Sequence, residues 1–355
     1  MKIELIKNLA LIIISFFLSI LLIEIILKLQ GKYKHLTKNE LIASASVYER
    51  PFKSKQKQKH PDLNYIIENY FDNDGVKNFS KIETSQKKNL IGIFGDSFVE
   101  NIAIDRKFEY STLLNDNINS YQIINYGIGG YSAELAFLRY LKYQNKHDLK
   151  YVFYFFMPGD QYSRSLINFD KNNNFEVKKI KINLFIKLIS KLNITYFTID
   201  IFYKIRAALF EDHTSIDINN YGQVLANKIA KKTYDELKTD SKYFYNLLNN
   251  FQIEVNKNNG KFFVIVFPDK NNINFFEKTV KEYNLNINYF ILDSELAYSN
   301  ELFFTNDGHW NEKGNLFFSK NLEKILGSIG IDFKKKINEK KNLLLIDYFY
   351  KKNNY

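Results

Sequence analysis

The sequence predicts an α/β protein built on a parallel sheet, with an N-terminal transmembrane helix and a long helical insertion in its middle. Short β-rich apolar runs, Leu90 to Phe94, Tyr121 to Asn125, Tyr151 to Phe156, Phe262 to Phe267 and Tyr289 to Leu292, alternate with amphipathic stretches in a βα rhythm. The runs are continuously apolar rather than alternating, which implies burial on both faces and hence a parallel sheet between two helix layers. Residues able to do chemistry cluster just past the ends of these runs, where open α/β sheets bind their ligands.

In chain order, the first element is the apolar stretch from Asn8 to Leu27, about the length a helix needs to cross the ~30 Å hydrocarbon layer. Residues 1–30 are therefore expected to form a membrane anchor. A cleaved signal peptide and a buried core helix are the competing readings. No small-residue cleavage site directly follows the run, although Ala43-Ser44-Ala45 lies downstream. Lys2 and Lys7 precede the segment and Lys28, Lys32 and Lys34 follow it, so the positive-inside rule does not favour an exported body. Residues 31–86 are polar and irregular, with a lysine and glutamine cluster at Lys53 to Lys59 and a turn signal at Asn73-Asp74-Gly75, and read as a stalk and lead-in. Residues 87–335 hold the sheet. Within them, Ser163 to Asn259 is too long for a loop and is amphipathic at Lys179 to Leu192 and Val224 to Phe251, which suggests a helical cap. The tail, 336–355, is basic and aromatic and reads as a packed strand or helix, with membrane-surface contact as the alternative.

Composition narrows the classes. The 355 residues are 45% hydrophobic and 25% charged, ordinary for a globular protein. With no cysteine there are no disulfides, no thiolate nucleophile and no Cys-ligated metal. The net charge of +11 comes from scattered lysines among asparagines rather than an arginine stripe interleaved with aromatics, which argues against a nucleic-acid partner.

The first candidate site is Ile91-Gly92-Ile93-Phe94-Gly95-Asp96-Ser97, an apolar strand ending in a glycine turn that presents Ser97. Near the other end, Asp307-Gly308-His309-Trp310 puts an acid and a histidine on one short segment ahead of a helix. A serine hydroxyl is a weak nucleophile until an imidazole takes its proton, and the imidazole needs a carboxylate to hold its tautomer, so these three residue types propose a Ser-His-Asp hydrolase. Asp96 reads as a brace for the turn. Asp307 and His309 lack a third ligand in sequence, so no metal is expected, and nothing calls for a cofactor.

Gly95-Asp96-Ser97 and Asp307-Gly308-His309-Trp310 resemble the first and last blocks of the SGNH (GDSL-like) hydrolase superfamily. Asn125-Tyr126-Gly127-Ile128-Gly129-Gly130-Tyr131 and the strand from Phe153 to Gln161 resemble its two middle blocks, in the same order. The likeness covers roughly Asn89 to Leu326, apart from the insertion. It implies a flavodoxin-like three-layer fold, Ser97 as nucleophile, His309 as base and Asp307 as orienting acid. It also implies an oxyanion hole from the N–H groups of Ser97 and Gly130 with a third, side-chain donor. Anchored relatives usually hold this domain outside the membrane, which implies an extracytoplasmic catalytic body. Two departures stand out. The commoner acid position is three before the histidine, here Asn306, and the Asp-x-His-Trp form resembles SGNH-type proteins of polysaccharide O-acetylation. The expected asparagine donor is replaced in Pro158-Gly159-Asp160-Gln161, and an ionised aspartate donates no hydrogen bond. A protonated Asp160, a register change that brings in Gln161, and loss of hydrolysis are the three ways out. The expected activity is cleavage or transfer of an acyl ester, with a glycan as candidate substrate or acceptor. The rival is a catalytically silent domain that binds a glycan or an assembly partner.

Overall fold

The computed structural model describes residues 11, 15–16, 18–27, 29, 55–72, 75–77, 89–161, 166–177, 241–293 and 297–353. The chain divides into two units, 1–48 with 179–238, and 49–178 with 239–355.

In the first unit the described residues are helical, at 11, 15–16, 18–27 and 29. Among the described residues no helix is long and apolar enough to cross a membrane. The spanning helix expected from Asn8 to Leu27 falls partly outside the described residues, and the amphipathic stretch from Lys179 to Leu192 lies wholly outside them.

The second unit is built on a five-stranded parallel sheet of β3 (Asn89–Phe94), β4 (Tyr121–Asn125), β5 (Leu149–Phe156), β8 (Lys261–Val266) and β9 (Asn288–Ile291), in the order β4-β3-β5-β8-β9. All five expected runs are strands, with ends within two residues of the expectation. Successive side chains of a strand point to opposite faces, and here both faces are apolar. Ile91, Ile93, Ile123, Phe153, Phe155, Phe263 and Ile265 enter one core, with α2 (Tyr110–Asn115), α6 (Glu312–Ser328) and α7 (Glu339–Asn353). Phe94, Ile124, Val152, Tyr154, Phe156, Phe262, Val264 and Val266 enter the other, with α3 (Ala133–Tyr143), α4 (Ser241–Lys257) and α5 (Lys270–Glu282). Burying each such side chain is worth roughly 1.5–3 kcal/mol. The tail expected as a packed strand or helix is α7, which buries Ile346 and Phe349.

Counted along the sheet, the order is 2-1-3-4-5, so the connection direction reverses beside β3 and opens a crevice at the carboxyl ends of β3 and β5. The amphipathic stretch read from Val224 to Phe251 is described only from Ser241 onward, as α4, the helix that enters β8; residues 178–240 lie outside the described ones. Beyond β5 stands a small antiparallel hairpin, β6 (Ile167–Phe169) with β7 (Phe175–Val177).

Of the polar lead-in read as an irregular stalk, residues 55–72 and 75–77 are described, and these include two regular strands. β1 (Lys55–Lys59) and β2 (Ile66–Tyr70) form an antiparallel hairpin. β2 is buried at alternate positions, with Ile67 and Asn69 inward, so one face of the hairpin is covered while Gln56, Lys57, Gln58 and Lys59 are at most partly buried.

Candidate active site

Ser97 is the first residue of a one-turn helix, α1 (Ser97–Glu100), that begins directly after β3. Asp96 is its N-cap, accepting the Phe98 N–H at 2.9 Å on Oδ1, a common way to satisfy a free helix donor. The Ser97 N–H has no intramolecular acceptor among the described residues, as expected of a first-turn amide. The motif Asn125 to Tyr131 wraps this turn. Asn125 donates to Val99 O at 2.7 Å and accepts from Gly127 N–H at 2.9 Å. A Cβ on Gly127 would lie 2.4 Å from Glu100 N and 2.7 Å from the Val99 carbonyl carbon, so only glycine lets the two backbones meet. Gly127→Ala is accordingly expected to destabilise the fold by about 2–3 kcal/mol, read as a lower denaturation midpoint, because the clash is with backbone that cannot swing away. Gly129 N–H donates to the buried Glu100 carboxylate at 2.8 Å, and a Cβ on Gly129 would stand 3.6 Å from Ser97 Cβ. Gly130 follows with φ at +77°, a left-handed conformation that turns the chain beside the serine.

His309 arrives from the far end of the chain. Phe303–Phe304 (β10) and Asp307–Trp310 (β11) make a tight hairpin, closed by Thr305 and Asn306, ahead of α6. Asn311 caps α6 by accepting from Lys313 and Gly314 N–H. Trp310 is buried, packed edge-on to Phe98 at 5.2 Å and close to Phe155 and Phe318, which fixes where the preceding histidine stands. The result is that His309 Nε2 lies 2.7 Å from Ser97 Oγ across 212 residues of sequence. Its Nδ1 bonds Asp307 Oδ1, the same oxygen that accepts the His309 backbone N–H at 3.2 Å. An ionised carboxylate only accepts, so Nδ1 carries the proton and Nε2 offers its lone pair to the serine hydroxyl. Asn306, the alternative acid slot, instead turns its amide to Asp62 at 3.3 Å.

The electrostatics are strongly acidic. Burial alone would push the His309 pKa down, but the Asp307 hydrogen bond and charge, with Asp96 and Glu100 behind, hold it above the ordinary imidazole value. Asp96 is pushed up to about 6, by desolvation first, with the Phe98 N–H and His309 opposing and Glu100 adding.

Asp160 sits past the end of β5 and is buried. Its Oδ2 accepts from Tyr154 Oη and Met157 N–H, both at 2.8 Å, while Oδ1 meets no partner among the described residues. Desolvation and then the charge of Asp96 push its pKa well above the carboxylate range, against the two donors on Oδ2. Gln161 turns its amide oxygen back to Gly159 N–H at 3.0 Å. Thus Ser97, His309 and Asp307 are brought together, the block from Gly127 to Gly130 lies beside them, and Asp160 and Gln161 stand at the neighbouring strand end. Sequence reasoning missed Glu100, one helical turn beyond Ser97, and Asp62. It also missed Lys77, whose buried ammonium donates to the carbonyls of Glu100 and Asn101 and pins the end of α1. Glu100 is legible as an acid three residues after the serine; Lys77 and Asp62 carry no local signal. Among the described residues no group of three or more His, Asp or Glu side chains is placed to hold a metal ion.

No protein-family model and no curated protein matches the chain. Solved structures do. The crystal structure of TesA is similar over 67% of this chain and 98% of its own, at 9% identity and a TM-score of 0.41. The psychrotrophic esterase EstA from Pseudoalteromonas sp. is similar over 68% and 100%, at 12% identity and a TM-score of 0.38. A member of the lipolytic protein G-D-S-L family from Veillonella parvula is similar over 67% and 98%, at 13% identity and a TM-score of 0.36. Among the other solved structures that this chain is similar to is an acetyl xylan esterase, over 67% of this chain and 99% of its own, at 15% identity and a TM-score of 0.37.

Proposed function

We propose that this chain is a serine ester hydrolase or O-acyltransferase of the SGNH type, held at a membrane by its N-terminal segment. One observation carries the reading: a serine hydroxyl 2.7 Å from an imidazole nitrogen whose other nitrogen is bonded to a carboxylate. In the first half-reaction His309 Nε2 takes the Ser97 hydroxyl proton as Oγ attacks the ester carbonyl carbon. The tetrahedral intermediate then expels the alcohol, which leaves with that proton, and the acyl group stays on Ser97. In the second, water or a sugar hydroxyl gives its proton to His309, attacks the acyl carbon and regenerates Ser97. Asp307 holds the imidazole tautomer and balances its charge.

The developing oxyanion receives the N–H groups of Ser97 and Gly130, and Asp160 in its neutral form supplies the third donor. Supporting this last role, Oδ2 is occupied by two donors, so the proton belongs on the unengaged Oδ1, and burial beside Asp96 favours the neutral form. Gln161, with its amide oxygen bonded back to Gly159, is the less suited donor.

The reading is tested by mixing the protein with p-nitrophenyl acetate. A burst of one nitrophenolate per chain, with the acetyl group recovered on Ser97 after acid quench, is the expected result. No release above the uncatalysed rate and no acetylated serine would leave a silent, ligand-binding domain as the better account. Adding sugar acceptors during the steady state then separates transfer from hydrolysis.

The membrane part of the proposal draws on Leu18, Leu21, Leu22, Ile25 and Ile26, each at least 45% exposed on helical backbone. Deleting residues 1–29 is expected to move the protein from the membrane pellet to the supernatant. Full retention in the pellet would require a second anchor. The resemblance to anchored relatives favours a body on the extracytoplasmic side, acting on acyl esters of envelope glycans, and a C-terminal reporter fusion reads that orientation.

A further inference from the structure

The turn that carries His309 is gripped by a part of the chain that the chemistry above does not use. Asp62, in the connection between β1 and β2, accepts the Thr305 N–H on Oδ2 at 2.9 Å. Its Oδ1 accepts the Asn306 N–H at 3.1 Å and the Asn306 side-chain amide at 3.3 Å. Thr305 and Asn306 are the two residues that close the β10–β11 hairpin, so both of its turn amides end on one carboxylate. Asp62 is itself fixed from behind. His60 Nδ1 accepts the N–H groups of Asp62 and Leu63 at 3.1 and 3.0 Å, which shapes the connection. A ring nitrogen that accepts from two amides carries no proton, so the His60 proton lies on Nε2 and points to Glu312 Oε1 at 3.2 Å. The other Glu312 oxygen accepts from Tyr350 Oη on α7 at 2.8 Å. The His60 ring is buried, edge-on to Phe304, Phe349 and Tyr350.

We propose that Asp62 is a positioning residue for the Asp307–His309 pair, itself held through His60 and Glu312 by the C-terminal helix. The physical need follows from the spacing of the two residues. With the acid only two residues before the histidine, Asp307 must curl back within one tight hairpin to reach Nδ1, and the adjoining turn residues decide whether it can. Unbraced, Thr305 and Asn306 would present two amides and a side chain to water and sample other turn conformations, and each of these would carry Asp307 away from the ring. The proposal rests on the reading of Ser97, His309 and Asp307 as the reacting set.

The test uses the full chain in detergent, with Asp62→Ala, Asp62→Asn and Tyr350→Phe. The Nδ1 proton shared by His309 and Asp307 should give a low-field proton resonance, which reports the pair without any turnover. Asp62→Ala is expected to weaken or abolish that resonance and to lower kcat on a simple acetyl ester by about 10- to 100-fold with KM changed by less than about twofold. Asp62→Asn, which keeps one acceptor oxygen, should fall between Asp62→Ala and the wild type, and Tyr350→Phe should move both readouts the same way by less. Asp62→Asn decides the matter if Asp62→Ala does not fold. An unchanged resonance and unchanged kcat in the folded Asp62 variants would overturn the proposal. If the wild type shows the resonance but no ester turnover, the functional reading fails while the resonance still decides the role of Asp62.

Discussion

Ser97→Ala is expected to lower kcat on acetyl esters by about four to six orders of magnitude while leaving the fold and KM nearly unchanged, because no other group in the site can carry the acyl chain. His309→Ala should cost about as much, and the double variant no more than either single one, since the two act as one unit. Asp307→Asn should cost about 10⁴-fold, through loss of the tautomer that leaves Nε2 free to accept. The pH dependence has a definite sign. His309 must be neutral to take the serine proton, and Asp307 holds its pKa above the ordinary imidazole value of about 6.5, so kcat/KM should fall as pH drops through that raised value. Asp307→Asn should move this acid limb to lower pH. Because Asp96 is lifted to about 6 and interacts with His309, the limb belongs to the coupled set rather than to one residue.

The second large effect is expected at Asp160. If its neutral carboxyl is the third oxyanion donor, ionisation both removes the donor and sets a negative charge near the developing oxyanion. Loss of one such donor costs about 100- to 1,000-fold in kcat. Activity should therefore fall again at high pH, as Asp160 titrates at its raised pKa, giving a bell-shaped profile. Asp160→Asn places a permanent amide donor there and has nothing to titrate. It should raise turnover on the alkaline side, where Asp160 would be ionised, and abolish the alkaline limb while the acid limb stays. The fold should gain stability at neutral pH as well: an acid whose folded pKa is raised loses stability as pH climbs above its unfolded pKa, and the asparagine variant escapes that loss. A large loss of activity in Asp160→Asn, with the alkaline limb retained, would mean that Asp160 has another role.

The sheet was legible because both of its faces are buried. Continuous runs such as Tyr121 to Asn125 and Tyr151 to Phe156 need no partner to be recognised, and the observed strands end within two residues of them. Ser97 stood out as a serine just past a strand end, and His309 as a histidine beside an acid ahead of a helix. What the sequence hid is held by distant partners. β1 reads Lys-Gln-Lys-Gln-Lys, a pattern that announces only solvent, and it becomes a strand because β2 offers an edge and buries Ile67. Asp62 meets Thr305 across 243 residues, and a lone acid in a polar stretch gives no hint of such a contact. The choice between Asn306 and Asp307 turned on the tight β10–β11 turn, which spends Asn306 on Asp62 and leaves Asp307 to the imidazole.

The central claim is that Ser97 is an imidazole-activated nucleophile, and covalent labelling by an alkyl fluorophosphonate tests it most directly. The account predicts one adduct per chain, mapped to the peptide that contains Ser97, absent in Ser97→Ala, strongly slowed in His309→Ala and slowed at acid pH as His309 takes up its proton. Labelling of Ser97→Ala at the wild-type rate, or a wild-type protein that stays unlabelled at neutral pH, would contradict it.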